Sequence, residues 1–195
     1  LLSELYKQLF HFYVMDNKTY DWWIFPFQLC SLPMYLCAIL PFMKKSRWLI
    51  PLETFLMDFN LLGGLMALLV PDGLMHPYIT LTLHAFVWHF LLLFVGFFIG
   101  FSRHGDTSLS GFIKTLPILL ICIGAATLLN VLFHSYGDIN MFYISPYKIT
   151  TQPVFSQIMK RTGIWIGNLL YITAMCITAF LIHRMFATIR RSCEK

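Results

Sequence analysis

Charge is what this sequence has least of. Only 12% of its 195 residues are Asp, Glu, Lys or Arg, about half the share in a soluble domain. A surface so poor in charge does not suit a globule in water. Low-complexity tracts and internal repeats are also missing, and one compact bundle with no second domain is expected. The five cysteines (Cys30, Cys37, Cys122, Cys176 and Cys193) are odd in number and show neither CxxC nor a Cys/His zinc spacing. The odd count argues against a disulfide framework, and the spacing gives no support to a structural zinc site. Without a P-loop, a Rossmann glycine pattern or G-x-S-x-G, nucleotide and hydrolase-elbow chemistry have no support. Short alternating segments are absent too, which excludes an outer-membrane barrel.

What is present is apolar. Hydrophobic residues make up 58% of the chain and mean hydropathy is +0.70. Several runs approach the roughly 20 residues that a membrane helix needs. The pattern predicts an all-α, polytopic transmembrane helix bundle forming a single domain over 1–195. Five spans are expected at 22–43, 48–70, 78–101, 112–134 and 163–186. Residues 1–15 form a partial or sixth span. The chain opens on Leu1-Leu2-Ser3 rather than Met, so this first piece is expected to be either the end of a helix that starts upstream or an interfacial helix. Trp22 and Trp23 suit a membrane interface. Pro26, Pro33 and Pro41 predict kinks in the first full span. Gly63-Gly64 permits close helix approach. The connection at 135–161 is long enough to be functional or to hold a short helix.

The net charge of +5 would suit nucleic acid in a soluble protein. Here the basic residues sit at span ends and read as orientation signals and contacts to anionic headgroups. Lys7, Lys44, Lys45, Arg47, Arg103, Lys114, Arg184, Arg190, Arg191 and Lys195 fall on one side. Lys18, Lys148, Lys160 and Arg161 fall on the other. The richer side is expected to be cytoplasmic, with both ends of the chain inside and the protein in a cell membrane, read as a bacterial cytoplasmic membrane.

Polar side chains at hydrocarbon depth are costly and mark candidate sites. Counting inward at ~1.5 Å per residue places Cys30 ~12 Å, His84 ~9 Å, His89 ~16 Å, Asn60 ~15 Å, Asp58 ~18 Å and Asn130 ~6 Å below the outer face. Several spans thus bring polar groups to the outer half of the bundle. A thiol beside an imidazole suits acyl transfer through a thioester. An amide can orient the imidazole or donate to a developing oxyanion. His84 and His89 lie ~140° apart around a helix, so at most one faces Cys30. Asp58 needs a partner, and a histidine would give a proton relay. His84, His89 and Asp58 offer N and O atoms to a metal, yet no His pair stands at i and i+4. No metal and no cofactor are expected.

These residues carry a family resemblance. Gln28-Leu29-Cys30-Ser31-Leu32-Pro33-Met34 resembles the first core helix of the YwaF-like bacterial integral membrane proteins. Asn60-x-x-Gly63-Gly64 with Leu69-Val70-Pro71-Asp72 resembles their second helix and turn. His89 ahead of Leu91-Leu92-Leu93 is similar to their single intramembrane histidine. Leu129-Asn130 and Asn140-Met141-Phe142 are similar to their Asn and Gly-Thr-Asn-Tyr-Met segments, although Gly137-Asp138-Ile139-Asn140 stands here. The group is related to eukaryotic transmembrane phospholipid acyltransferases that remodel ether-linked lipids. It is more distantly similar to androgen-induced-gene-type lipid hydrolases, which use a threonine nucleophile and a histidine. The resemblance implies Cys30 as nucleophile and His89 as acid/base.

The expected function is therefore a lipid acyltransferase or acyl hydrolase with an outer-leaflet intramembrane pocket. Cys30 and His89 would be catalytic. Gln28, Asp58, Asn60, His84, Asn130 and Asn140 would support them or position substrate. The expected partners are membrane lipids, with no nucleic acid and no protein partner indicated. Two alternatives stand beside it: a small-solute or proton-coupled transporter, and a non-catalytic lipid-binding scaffold.

Overall fold

The computed structural model describes residues 1–193, and all regular structure among the described residues is helical. In chain order the helices are α1 (Leu2–Phe10), α2 (Leu32–Phe42), α3 (Leu49–Leu69), α4 (Ile79–Phe101), α5 (Leu109–Phe133), α6 (Phe155–Thr162) and α7 (Ile164–Ser192). Among the described residues α3, α4, α5 and α7 are long and apolar enough to cross a bilayer. The chain forms two compact units. One comprises Leu1–Gln28 with Leu120–Cys176, the other Leu29–Leu119 with Ile177–Lys195.

The expected span at 22–43 is not one helix. Asp21 accepts the Trp23 N–H at 2.9 Å and starts only a single tight turn, Trp22–Ile24. Residues 25–31 are irregular, and α2 begins at Leu32 with Pro33 in its first turn. The proline ring fits there because its missing N–H has no helical acceptor in that turn. Pro41 closes the helix in a tighter turn, Leu40–Phe42. Eleven residues rise ~16 Å, about half of a hydrocarbon core. Three prolines in one apolar run broke it instead of kinking it.

In the unit containing Leu29–Leu119, α3 is the central helix. Phe55, Leu56, Met57, Asp58, Phe59, Asn60 and Leu61 are each at most 1% exposed. A helix buried on every side must satisfy its polar groups internally. Its middle turn, Leu56–Asn60, widens to a π turn. Glycines let α3 and α4 mesh. An added Cβ at Gly64 would lie 3.1 Å from Leu92 Cβ, and one at Gly96 2.8 Å from Leu61 Cβ. Each helix thus seats a leucine where its partner has no side chain. Gly100, four residues after Gly96, makes the same room for the Phe186 ring of α7.

In the other unit, α1 is amphipathic. Gln8 ties it down by donating to Ile24 O at 2.8 Å and accepting from the Tyr20 hydroxyl at 3.0 Å. Trp22 stacks on Phe133 of α5 with ring centroids 4.1 Å apart. The long connection does hold a short helix, α6. Gly163, at φ +89°, turns the chain from α6 directly into α7, a conformation that L side chains rarely adopt.

Candidate functional site

Cys30 sits in the turn at 29–31 that leads into α2, half-buried, rather than along a helix. Its depth count assumed a continuous helix and does not hold. Two contacts fix its backbone. The Trp88 indole N–H donates to Cys30 O at 3.0 Å. Gly63 of α3 faces the same turn, since a Cβ there would meet Cys30 N at 3.8 Å.

Trp88 is the residue before His89. His89 is 7% exposed, and its Nδ1 lies 2.7 Å from Ala85 O. A carbonyl only accepts, so Nδ1 donates a hydrogen to Ala85 O, and in the neutral ring Nε2 is then the acceptor nitrogen. The same turn of α4 is gripped from α3. Asn60 donates to Leu92 O at 2.9 Å, and Gly64 lies beneath His89 O. Asn60 Oδ1 is buried without a hydrogen-bond partner. The structure thus brings the Cys30 turn, Trp88 and the α3 glycine pair together, with His89 one residue beyond the indole. His84 is half-buried on the preceding turn of α4.

Asp58 faces elsewhere. Its Oδ2 lies 2.9 Å from His183 Nδ1 of α7, and both side chains are fully buried. His183 Nε2 donates to Ser108 O at 2.9 Å. With Nε2–H committed to a carbonyl, one further proton lies between Nδ1 and the carboxylate. Asp58 therefore pairs with a histidine as expected, but with His183. Two turns along α7, Arg190 donates to Ile99 O, Gly100 O and Gly105 O at 2.6–3.3 Å. It caps the carbonyls at the end of α4, where a cation is favoured. Sequence reasoning missed His183 and Arg190. Their signal was the spacing: 183, 186, 187 and 190 form one stripe of α7, with His183 and Phe186 fully buried.

Gln28, Asn130 and Asn140 belong to the unit containing Leu1–Gln28 and bind a loop there. Gln28 donates to Asn140 O at 3.0 Å and accepts the Phe142 N–H at 2.8 Å. Asn130 donates to Met141 O at 3.0 Å and accepts the Met141 N–H at 2.6 Å. Asn140 accepts the Ser145 N–H at 2.9 Å, and Asn168 donates to Ile144 O at 2.9 Å. Four amides thus satisfy a buried loop in which Phe142 and Tyr143 take positive φ, 56° and 59°. Asn168 was also missed. Asn60 and Asn130 each donate an amide N–H to a backbone carbonyl, so both hold backbone in place. Among the described residues no group of three or more His, Cys, Asp or Glu could hold a metal ion.

A family model matches residues 1–184, and the chain belongs to that family, the TMEM164 family. No curated protein and no solved structure matches it.

Proposed function

We propose that this member of the TMEM164 family is an intramembrane lipid acyltransferase or acyl hydrolase that works through a thioester on Cys30. The carrying observation is the Trp88 indole bond to Cys30 O, which ties the cysteine turn to the part of α4 bearing His89. The resemblance to YwaF-like proteins and the phospholipid acyltransferases supports the same pair. In this reading Cys30 Sγ attacks the carbonyl carbon of a lipid ester while His89 Nε2 takes the thiol proton. The ester C–O bond breaks, and His89 returns the proton to the departing lysolipid oxygen. A second alcohol, or water, then attacks the thioester, giving its proton to His89 and freeing the thiolate. Asn60, Gly63, Gly64 and Trp88 act as positioning residues.

The test is labelling of the full chain in detergent with an electrophilic acyl probe, alongside release of lysophospholipid. Cys30→Ala is expected to abolish both. His89→Ala is expected to slow them about a hundredfold or more. Trp88→Phe is expected to lower kcat and leave KM in place. Labelling that persists unchanged in both Cys30→Ala and His89→Ala would remove the assignment. A proton-coupled carrier is the second reading, favoured by the buried Asp58–His183 pair. Proteoliposome flux that needs Asp58 and survives Cys30→Ala would establish it instead.

A further inference from the structure

A cavity of about 530 Å³ lies in the unit containing Leu29–Leu119, and neither Cys30 nor His89 is among its lining residues. Most of its wall is apolar: Trp48, Ile50 and Pro51 from the start of α3, and Pro117 from α5. Two cations also line it, Arg47 just before α3 and Lys114 on the second turn of α5. Both are exposed. The Arg47 guanidinium lies over the Trp48 ring, 5.7 Å from its centroid. This stacking holds the charge beside the apolar wall.

The polar groups of this lining are already engaged with one another. The Thr54 hydroxyl donates to Ile50 O at 2.8 Å and accepts the Asp106 N–H at 2.9 Å. The Asp106 carboxylate accepts the Ser108 N–H at 2.8 Å. Burial pushes that carboxyl up, but the bonds from Ser108 and the charge of Lys114 outweigh it and hold it below the usual carboxylate range. With two cations, Arg47 and Lys114, and one anion, Asp106, the lining carries a net positive charge. An apolar trough with cations beside it, at the level where two spans begin, has the polarity of a single lipid lying head outward.

We propose that this cavity binds one anionic phospholipid, with Arg47 and Lys114 on its phosphate and an acyl chain along Trp48, Ile50, Pro51 and Pro117. A free phosphate would meet the same two cations but would leave the apolar wall unused, and the volume falls in the range of small-molecule sites. The assignment stands independently of any chemistry at Cys30.

Trp48 makes the site observable. The full chain would be placed in phosphatidylcholine nanodiscs doped with dibromo-acyl phosphatidylglycerol or dibromo-acyl phosphatidylcholine. The part of the tryptophan quenching that disappears in Trp48→Phe isolates this position from the other four tryptophans. That part is expected to reach half-saturation at about tenfold lower mole fraction for phosphatidylglycerol than for phosphatidylcholine. The preference should vanish in Arg47→Gln/Lys114→Gln and persist in Arg191→Gln, whose guanidinium is outside this lining. This comparison needs no substitution beyond the conservative Trp48→Phe, and equal half-saturation of that Trp48 part by the two lipids overturns the proposal. So does a preference that survives the double substitution. Relief of the quenching by millimolar inorganic phosphate would assign the cations to a free anion and overturn it as well.

Discussion

The Asp58–His183 pair sets the energetic stakes at the level of single residues. Both groups are fully buried, and Asp58 Oδ1 has no hydrogen-bond partner. A buried pair is poor evidence for net stabilisation, because desolvation offsets most of the attraction. Removing one partner is different, since the other is stranded in an apolar interior. His183→Ala is expected to cost about 3–5 kcal/mol. Asp58→Ala should cost a similar amount, while the double variant should cost well under the sum of the two. Denaturant unfolding in detergent micelles measures all three, and strictly additive losses would show that the pair is not coupled. Asp58 was legible in the sequence because a carboxylate within a span demands a partner. His183 was not, although it lies inside the expected span at 163–186, because the sequence alone does not say which face of that helix meets Asp58.

At the level of elements, long uninterrupted runs were readable and broken ones were not. The expected spans at 48–70 and 78–101 match Leu49–Leu69 and Ile79–Phe101 within a residue at each end. The last helix continues past the expected end at 186 to Ser192, and Arg190 in its final turns donates to Gly100 O at the end of α4. The apolar run at 22–43 misled because hydropathy counts side chains and says nothing of the N–H groups that Pro26, Pro33 and Pro41 lack. Glycines were half legible. Gly63-Gly64 drew notice, whereas the Gly96-x-x-x-Gly100 spacing, which receives Leu61 and Phe186, did not. The two α3 glycines are predicted to differ. A Cβ at Gly64 would press on Leu92 and Leu93 at 3.1 Å, whereas one at Gly63 meets only ordinary contacts at 3.8 Å. Gly64→Ala should therefore destabilise by about 1–3 kcal/mol, and Gly63→Ala by clearly less. If Gly63→Ala proves the costlier, the Cys30 turn packs more tightly than its contacts indicate.

For the whole molecule the open quantity is orientation, and the basic residues bear on it. Within the unit containing Leu29–Leu119, Lys44, Lys45 and Arg47 precede α3, Arg103 lies between α4 and α5, Lys114 is in the second turn of α5, and Arg190 and Arg191 end α7. The structure draws these ends to one face: Arg190 reaches Gly105 O in the α4–α5 loop, and Arg47 and Lys114 line one cavity. The turn at Pro71–Leu74 lies at the other end of α3. Clustered Lys and Arg are retained on the cytoplasmic side during insertion. Cys193, exposed just past the end of α7, should therefore resist a membrane-impermeant maleimide in intact cells and react after permeabilisation. A cysteine placed at exposed Asp72 should react in intact cells. Each site would be read in a chain whose other cysteines are replaced by Ser, since Cys37 is exposed and Cys30, Cys122 and Cys176 are partly so. The inverse labelling pattern would put the basic face outside. The phospholipid proposed for the Arg47–Lys114 cavity would then come from the external leaflet, and the Pro71–Leu74 end of α3, toward which Gly63 and Gly64 lie, would face the cytoplasm.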